Sequence, residues 1–178
     1  MIDIETLSTR TNASILTIGA MKFTREGPLP EMSEMETFYR RVNRVSCDDL
    51  DMHVDKNTEA WWAKQSDDVR WEAIENPENR QDLKDVLIGL TSFIGKGNPI
   101  VWGNGDDFDC VILTEAYRLC GLELPWKFWN TRDVRTVMDL GNVKPWDLPS
   151  ISKHHPVHDC YHQIIGLKRS FKNIGMFN

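Results

Sequence analysis

The sequence lacks the long apolar stretch that a membrane-spanning helix requires. Its first residues lack the basic segment and apolar stretch of a secretion signal, so we predict a cytoplasmic protein. The chain of 178 residues contains no internal repeat, low-complexity tract or long linker. Its hydrophobic fraction of 40% and charged fraction of 27% are typical of a globular protein. Residues 1–178 are therefore predicted to form a single domain.

Cysteine is scarce and scattered, and no two cysteines form a CxxC pair. Without a secretion signal, this spacing argues against a disulfide framework and against a cysteine-based zinc site. We therefore expect buried free thiols. The four cysteines are Cys47, Cys110, Cys120 and Cys160.

An excess of positive charge is also absent, because the formal net charge is −6. A protein that coats duplex nucleic acid usually has a basic surface, so that class is disfavoured. Acidic charge is nevertheless what a carboxylate site for divalent cations contributes, and such a site handles phosphates without lysines.

Three β-prone segments open the chain, over residues 1–5, residues 14–23 and Thr37–Val42. Short turns join them, which predicts an antiparallel meander. Helical spacing of apolar residues predicts helices over residues 67–75, 81–94 and 107–120, with a short buried strand over residues 100–102. The predicted fold class is therefore α/β, with a mixed sheet of antiparallel and parallel strands flanked by helices.

Two further helices are predicted, one beginning at Thr58 and one near Val157. Thr58 is a candidate N-cap, and Trp61 and Trp62 are candidates to face inward from the first of them.

Asp3 and Glu5 stand two residues apart in the first strand, so both side chains point to the same face. Two adjacent carboxylates repel each other and have raised pKa values unless a cation lies between them. An oxygen-seeking divalent metal is the natural partner. The alternative is a strand that is simply solvated on its polar side.

A glycine-rich loop with Asn104 leads from the short strand into a helix that opens with Asp106, Asp107 and Asp109. Acidic residues at a helix N-terminus are favoured by the helix dipole, which accounts for Asp106 or Asp107. It accounts less well for Asp109, which is predicted to lie inside the helix, past Phe108.

Four histidines fall within nine residues near the last helix: His154, His155, His158 and His162. A histidine is suited to general base catalysis because its ordinary pKa is near neutral. His154 precedes Asp159 by five positions, so the two can reach one site across a loop-to-helix junction. A polar loop with incidental histidines, or a zinc cluster, are the alternatives.

Taken together, Asp3-x-Glu5, Asn104-x-x-x-Phe108-Asp109 and His154-x-x-x-x-Asp159 resemble the three motifs of the DEDDh family of 3′→5′ exonucleases, which have an RNase H-like fold. Residues 57–62 and 128–136 are similar to the group that contains phage exonuclease A and the mycobacterial-type 3′→5′ exoribonuclease. The third motif departs from the usual His-Asn-Ala-Leu-Asp-Asp, because Pro156 and His158 replace its alanine and first aspartate.

The resemblance implies hydrolysis of single-stranded RNA or DNA from the 3′ end to nucleoside 5′-monophosphates. It implies two Mg²⁺ or Mn²⁺ ions and His154 as the general base, which the five-position spacing to Asp159 favours over His155. The implied metal ligands are Asp3, Glu5, Asp109 and Asp159, and the implied substrate-binding residues are Thr6, Leu7 and Asn104. The alternatives are a DNA-trimming exonuclease and a catalytically inactive nucleic-acid-binding module.

Several other residues have more than one interpretation. Trp61 and Trp62 could stack on bases or belong to the helix core. Arg132 and Arg135 could contact phosphate or a second copy of the chain in a homodimer, or pair with Asp133 or Asp139.

Overall fold

The computed structural model describes residues 1–105, 107–149 and 154–176. The strands are β1 (Ile2–Thr6), β2 (Ile15–Met21), β3 (Thr37–Val42), β4 (Arg80–Gln81), β5 (Val101–Gly103) and β6 (Thr131–Asp133). β1, β2 and β3 form the predicted antiparallel meander, β4 joins β3 in parallel, and β5 and β6 form a parallel pair. The α/β architecture with a mixed sheet is confirmed and is consistent with the RNase H-like fold.

The α-helices in the described residues are α1 (Arg44–Asp48), α2 (Lys56–Trp62), α3 (Asp67–Arg70), α4 (Leu83–Ile94), α5 (Asp109–Leu119), α6 (Val134–Leu140) and α7 (Pro156–Asn173). Helix α3 continues into a π-helical turn, Trp71–Glu75, and the two together occupy the predicted helix over residues 67–75. Short 3-10 helices lie at Met32–Glu34, Phe128–Asn130 and Pro145–Asp147. The sequence analysis did not predict β4, β6, α1 or α6.

Strand β1 presents two different faces. Ile2, Ile4 and Thr6 are buried, whereas the intervening Asp3 and Glu5 are only partly buried. The pairing of β1 with β2 shifts register between Glu5 and Thr6, and such irregularities are common beside active sites. The alternation therefore places both carboxylates on one side of the sheet, as the spacing predicts.

The predicted N-cap of α2 is wrong. Asp55 is the capping residue, and its carboxylate accepts hydrogen bonds from the backbone N–H groups of Asn57 and Thr58 at 2.6 and 3.2 Å. Asp55 also donates its backbone N–H to the carbonyl of Leu7 at 2.8 Å, so the chain after β1 fixes where the helix begins. The helix therefore starts two residues before Thr58.

Helix α5 begins at Asp109, with Phe108 at the N-cap position, and not at residue 107. The loop after β5 turns at Gly105, whose φ of +118° is a conformation that glycine adopts readily. The helix begins only after this turn is complete. The prediction that Asp109 lies inside the helix is therefore wrong, because it is the first helical residue.

Helix α7 lies against β2 because Gly19 has no side chain. A Cβ atom at Gly19 would lie 2.4 Å from the Cβ of Pro156 and 2.8 Å from the backbone nitrogen of Val157. The first turn of α7 can therefore approach the sheet closely, which brings Asp159 toward β1. Pro156 occupies the first helical position, where its missing N–H costs no hydrogen bond.

The main core lies between the sheet and helices α4 and α5, and a second cluster lies between α6, α7 and the other face of the sheet. Five apolar residues of α4 stand at helical spacing in the sequence. Leu83, Val86, Leu87 and Leu90 are fully buried, and Phe93 is partly buried against the same core. All four cysteines are free, as expected, and Cys120 is the least buried of them. Among the described residues, no helix has the length and apolar character needed to cross a bilayer.

Candidate active site

One cleft of about 750 Å³ is lined by Asp3 and Glu5 of the first motif, together with Asp109, Asp159 and His154. We call four of the carboxylates that line it the carboxylate floor: Asp3, Glu5, Asp109 and Asp159. The cleft opens beside α2, which contributes Trp61 and Trp62 to its wall. The fold thus gathers residues from the beginning, middle and end of the chain.

Three members of the carboxylate floor form a compact group. Asp3 and Glu5 project from β1, and Asp159 projects from the first turn of α7. One oxygen from each lies within 4.8 Å of the other two. Carboxylate oxygens clustered in this way are suited to bind a hard divalent cation.

Asp109 is held differently from the other three. Its two carboxylate oxygens accept hydrogen bonds from the backbone N–H groups of Ile4, at 3.1 Å, and Asn104, at 3.0 Å. Gly103 permits this approach, since a Cβ there would lie 3.2 Å from the Asp109 carboxylate. Asp109 therefore ties β1 to the loop after β5 and lies outside the compact group of three.

Asp3, Asp109 and Asp159 have pKa values above those of ordinary aspartates. Loss of solvation and the nearby charges of Asp109, Glu5 and Asp159 hold the pKa of Asp3 well above its ordinary value. Loss of solvation also raises the pKa of Asp109 to about 6, against two backbone hydrogen bonds that lower it. Burial and the charge of Glu5 raise the pKa of Asp159 to about 6. Like charges held this close raise one another's pKa values, and a divalent cation bound among them would lower these values.

Gln163 supports the floor from α7. Its side-chain N–H donates to Asp3 at 2.7 Å, and the residue is buried. The sequence analysis missed it, although it lies four residues after Asp159 and therefore on the same face of the helix. A buried amide on a helix face that also carries a candidate ligand is the signal that could have found it.

We call Trp61, Trp62 and His154 the aromatic rim. The His154 ring lies edge-to-face against both indoles, with centroid distances of 5.1 Å to Trp61 and 6.1 Å to Trp62. Its Nδ1 atom lies 3.7 Å from Oε1 of Glu5. Trp62 is buried and donates its indole N–H to the carbonyl of Thr6, whereas Trp61 is 43% exposed. Only Trp62 therefore faces inward as predicted.

The model of a protein family, the 3'-5' exoribonuclease Rv2179c-like domain, matches residues 1–169. The chain belongs to this family. It is also similar to the protein named Exodeoxyribonuclease of Enterobacteria phage T4, with 27% identity over 206 aligned residues, 97% of this chain and 88% of the phage protein. Both comparisons support a nuclease function and confirm the resemblance predicted from the motifs.

The three predicted substrate-binding residues lie in two different places relative to the cleft. Thr6 and Asn104 line the cleft, and both use backbone groups to hold neighbours in place. Leu7 does not line it in the described structure. Its side chain is 2% exposed and packs with Leu16 and Trp62, so it supports the aromatic rim from behind.

Arg132 and Arg135, which follow the 3-10 helix Phe128–Asn130, make different contacts. Arg135 lines the cleft, and its guanidinium lies over Gly105. Arg132 instead donates to the backbone carbonyls of Trp129 and Thr131. Within the described chain neither forms an ion pair with Asp133, which caps α6, or with Asp139, which lies 3.8 Å from Lys144.

A histidine zinc cluster is not formed by the described residues, where the compact carboxylate group is the candidate metal cluster. The rings of His155 and His158 stack on each other 4.4 Å apart, away from the carboxylate floor. His162 lines the cleft together with His154. Asp106, a candidate helix-capping residue in the sequence, lies outside the described residues.

Proposed function

We propose that this chain is a metal-dependent 3′→5′ exonuclease that releases nucleoside 5′-monophosphates from single-stranded RNA or DNA. The observation that carries the proposal is the group of Asp3, Glu5 and Asp159 oxygens within 4.8 Å of one another, at the base of a cleft that also contains His154. Membership of the Rv2179c-like family supports the nuclease class.

We propose that the carboxylate floor holds two Mg²⁺ or Mn²⁺ ions, with Asp3, Glu5, Asp109 and Asp159 as the ligands. Hard cations prefer carboxylate oxygens, and the raised pKa values of Asp3 and Asp159 reflect negative charges that a cation would compensate. When bound, such ions neutralise phosphate charge and favour ionisation of water. Gln163 keeps Asp3 oriented, and Asp109 keeps β1 and the Asn104 loop in register.

His154 is the proposed general base. Its ring lies beside Glu5, with 3.7 Å between Nδ1 and Oε1, so it adjoins the floor without occupying it. A ring nitrogen of His154 accepts a proton from the attacking water as the new bond to phosphorus forms. The bond from phosphorus to the 3′-oxygen of the preceding nucleotide breaks, and that oxygen takes a proton from solvent.

The walls of the cleft supply groups for both parts of a nucleotide. The exposed face of Trp61 is available for stacking on a base, an interaction that tolerates any sequence. The Arg135 guanidinium can donate to phosphate oxygens. These two contacts suit a flexible single strand that enters by its end, and the net charge of −6 disfavours a duplex.

RNA and DNA are both proposed substrates, because the comparisons name different sugars. The matching family is described as an exoribonuclease, and the phage relative is named an exodeoxyribonuclease. Distinguishing the two polymers requires a contact to the 2′-hydroxyl. Thr6 and Asn104, which line the cleft, are the proposed neighbours of the terminal sugar.

The test uses RNA and DNA strands of the same sequence with a label on the 5′ end, incubated with Mg²⁺, Mn²⁺ or excess EDTA. We expect a ladder that shortens from the 3′ end in the presence of metal and no cleavage in EDTA. Chromatography should identify nucleoside 5′-monophosphates as products. Asp3→Asn is the negative control, because it removes one charge from the floor and keeps the side-chain shape.

Two outcomes would contradict the proposal. Binding of either strand without cleavage under any metal condition would indicate an inactive binding module. Cleavage that persists in EDTA or in Asp3→Asn would show that the carboxylate floor is not the reaction centre.

A further inference from the structure

Three aromatic rings form a continuous stack beside the aromatic rim. His155 lies between Tyr39, with ring centroids 4.7 Å apart at 26°, and His158, with centroids 4.4 Å apart at 27°. We call these three residues the ring stack. Nδ1 of each histidine is buried and makes no hydrogen bond to the described part of the chain. Contacts across the ring faces therefore help to hold the two imidazoles.

The ring stack is attached to the sheet through a carboxylate. The Tyr39 hydroxyl donates to Oε1 of Glu72 at 2.6 Å, and Nη2 of Arg41 donates to both Glu72 oxygens at 2.6 Å. Nε2 of His155 lies 3.9 Å from the same Glu72 oxygen. Glu72 belongs to the π-helical turn Trp71–Glu75, and such turns occur frequently at functional sites. Strand β3 and this turn thus form a fixed support for His155.

His155 occupies a backbone position between two residues of the cleft. It directly follows His154, whose φ of +61° is uncommon for a residue with a side chain. Its carbonyl accepts the N–H of Asp159 at 3.0 Å, and it is the N-cap residue of α7. Any rotation of the His155 backbone therefore moves both His154 and the first turn of the helix.

The His154 ring makes aromatic contacts with helix α2. It meets Trp61 at 87° and Trp62 at 70°, and its Nδ1 atom faces Glu5. A catalytic group must be held to within about 0.5 Å of its productive position. His154 is joined directly to His155, so the backbone of His155 helps to set the position of the His154 ring together with the contacts to Trp61, Trp62 and Glu5.

We propose that the ring stack is a positioning device for His154. Tyr39 and His155 are positioning residues: they act through the backbone to set the direction of the His154 ring and do not touch substrate. This inference rests on the proposed function, in which His154 is the general base. It gives a role to a stack in which Nδ1 of each histidine makes no hydrogen bond to the described part of the chain.

The kinetic test compares His155→Ala, which removes the central ring, with His155→Phe, which keeps a flat ring and has no ring nitrogen. We expect His155→Ala to lower kcat by about 10-fold to 100-fold, because a displacement on the order of 1 Å has effects of this size. KM and Mn²⁺ affinity by calorimetry should stay near wild type. His155→Phe should restore most of kcat, and Tyr39→Leu should resemble His155→Ala.

Tyr161→Ala is the matched control on α7, because its hydroxyl contacts the carbonyl of Pro30 and its ring is not part of the ring stack. It should leave kcat unchanged, with thermal unfolding recorded for every variant. The inference is overturned if His155→Phe is as impaired as His155→Ala, or if both His155→Ala and Tyr39→Leu keep the wild-type kcat.

An NMR measurement tests the positioning separately from catalysis. The ring protons of His154 should show shifts caused by Trp61 and Trp62, and these shifts should decrease in His155→Ala and persist in His155→Phe. Unchanged His154 shifts in His155→Ala would overturn the inference. Failure of the wild-type protein to cleave RNA or DNA would count against the proposed function alone, since this measurement needs no substrate.

Discussion

The carboxylate floor and the aromatic rim surround one cleft but are built in different ways. The floor projects from β1 and from the first turns of α5 and α7, and Asp109 ties β1 to the next loop by two backbone hydrogen bonds. The rim projects from the seven-residue helix α2 and from His154 in a left-handed conformation. Substitutions in the floor should therefore remove activity outright, whereas substitutions in the rim should reduce it by degrees.

The largest expected effect comes from Asp109→Asn in the floor. Both Asp109 oxygens accept a backbone N–H, so an amide that offers one oxygen loses a hydrogen bond as well as the charge. We expect no detectable cleavage of a labelled single strand. The matched control is Asp107→Asn, two residues earlier and exposed, which should leave the rate within about twofold of wild type. Equal losses in the two variants would break the assignment of Asp109 to the floor.

In the rim, His154→Ala should lower kcat by roughly 10²-fold or more, the usual contribution of a general base. Metal affinity measured by calorimetry should be largely kept, because the carboxylates are unchanged. His162→Ala, another histidine that lines the cleft, should cause a much smaller loss. A reversed ranking, or near-full activity of His154→Ala at neutral pH, would contradict the assignment.

Trp61→Ala should have a smaller effect, chiefly on KM. Stacking on one base contributes about 1–3 kcal/mol, so KM should rise roughly 5-fold to 150-fold while kcat changes little. Trp71→Ala is the control, because Trp71 is 51% exposed and does not line the cleft. An unchanged KM on strands of every length would show that Trp61 does not bind a base.

The sequence predicted β1, β2 and β3 well because alternation and apolar content are local signals. It did not predict β4 or β6, which have two and three residues and carry arginine, glutamine, threonine and aspartate. Each of them is formed by parallel pairing with a distant strand, and short polar segments do not encode that partner. The start of α2 was missed for a similar reason, because Asp55 is fixed by its contact with Leu7.

The resemblance to the three exonuclease motifs predicted one site with Asp3, Glu5, Asp109 and Asp159. The structure places oxygens of Asp3, Glu5 and Asp159 together, whereas Asp109 is held apart by two backbone hydrogen bonds. The motifs could not predict that Trp62 is buried while its neighbour Trp61 is exposed, since that depends on the hydrogen bond from Trp62 to Thr6. The inward position of Gln163 likewise depends on how closely α7 approaches the sheet at Gly19. The catalytic and metal-binding roles themselves stay predictions.

The carboxylate floor should also make the free energy of unfolding of the metal-free protein depend on pH. The pKa of Asp3 is raised by burial and neighbouring charges, and those of Asp109 and Asp159 are raised to about 6. Between an unfolded pKa of about 4 and these folded values, the folded state binds more protons than the unfolded state. Its free energy of unfolding therefore falls as pH rises through this window.

The smallest effect we predict is a change in the unfolding temperature of Asp3→Asn, relative to wild type, across this pH range. The substituted side chain cannot ionise and can still accept the Gln163 hydrogen bond, so repulsion within the floor is relieved. In EDTA, Asp3→Asn should unfold several degrees above wild type at pH 7.5 and near it at pH 4.5, since one kcal/mol moves Tm by roughly 2–4 °C in a domain of this size. Added Mn²⁺ should stabilise the wild type more than the variant. Asp107→Asn should follow the wild-type curve, and parallel pH curves for wild type and Asp3→Asn would show that the floor stores no charge repulsion.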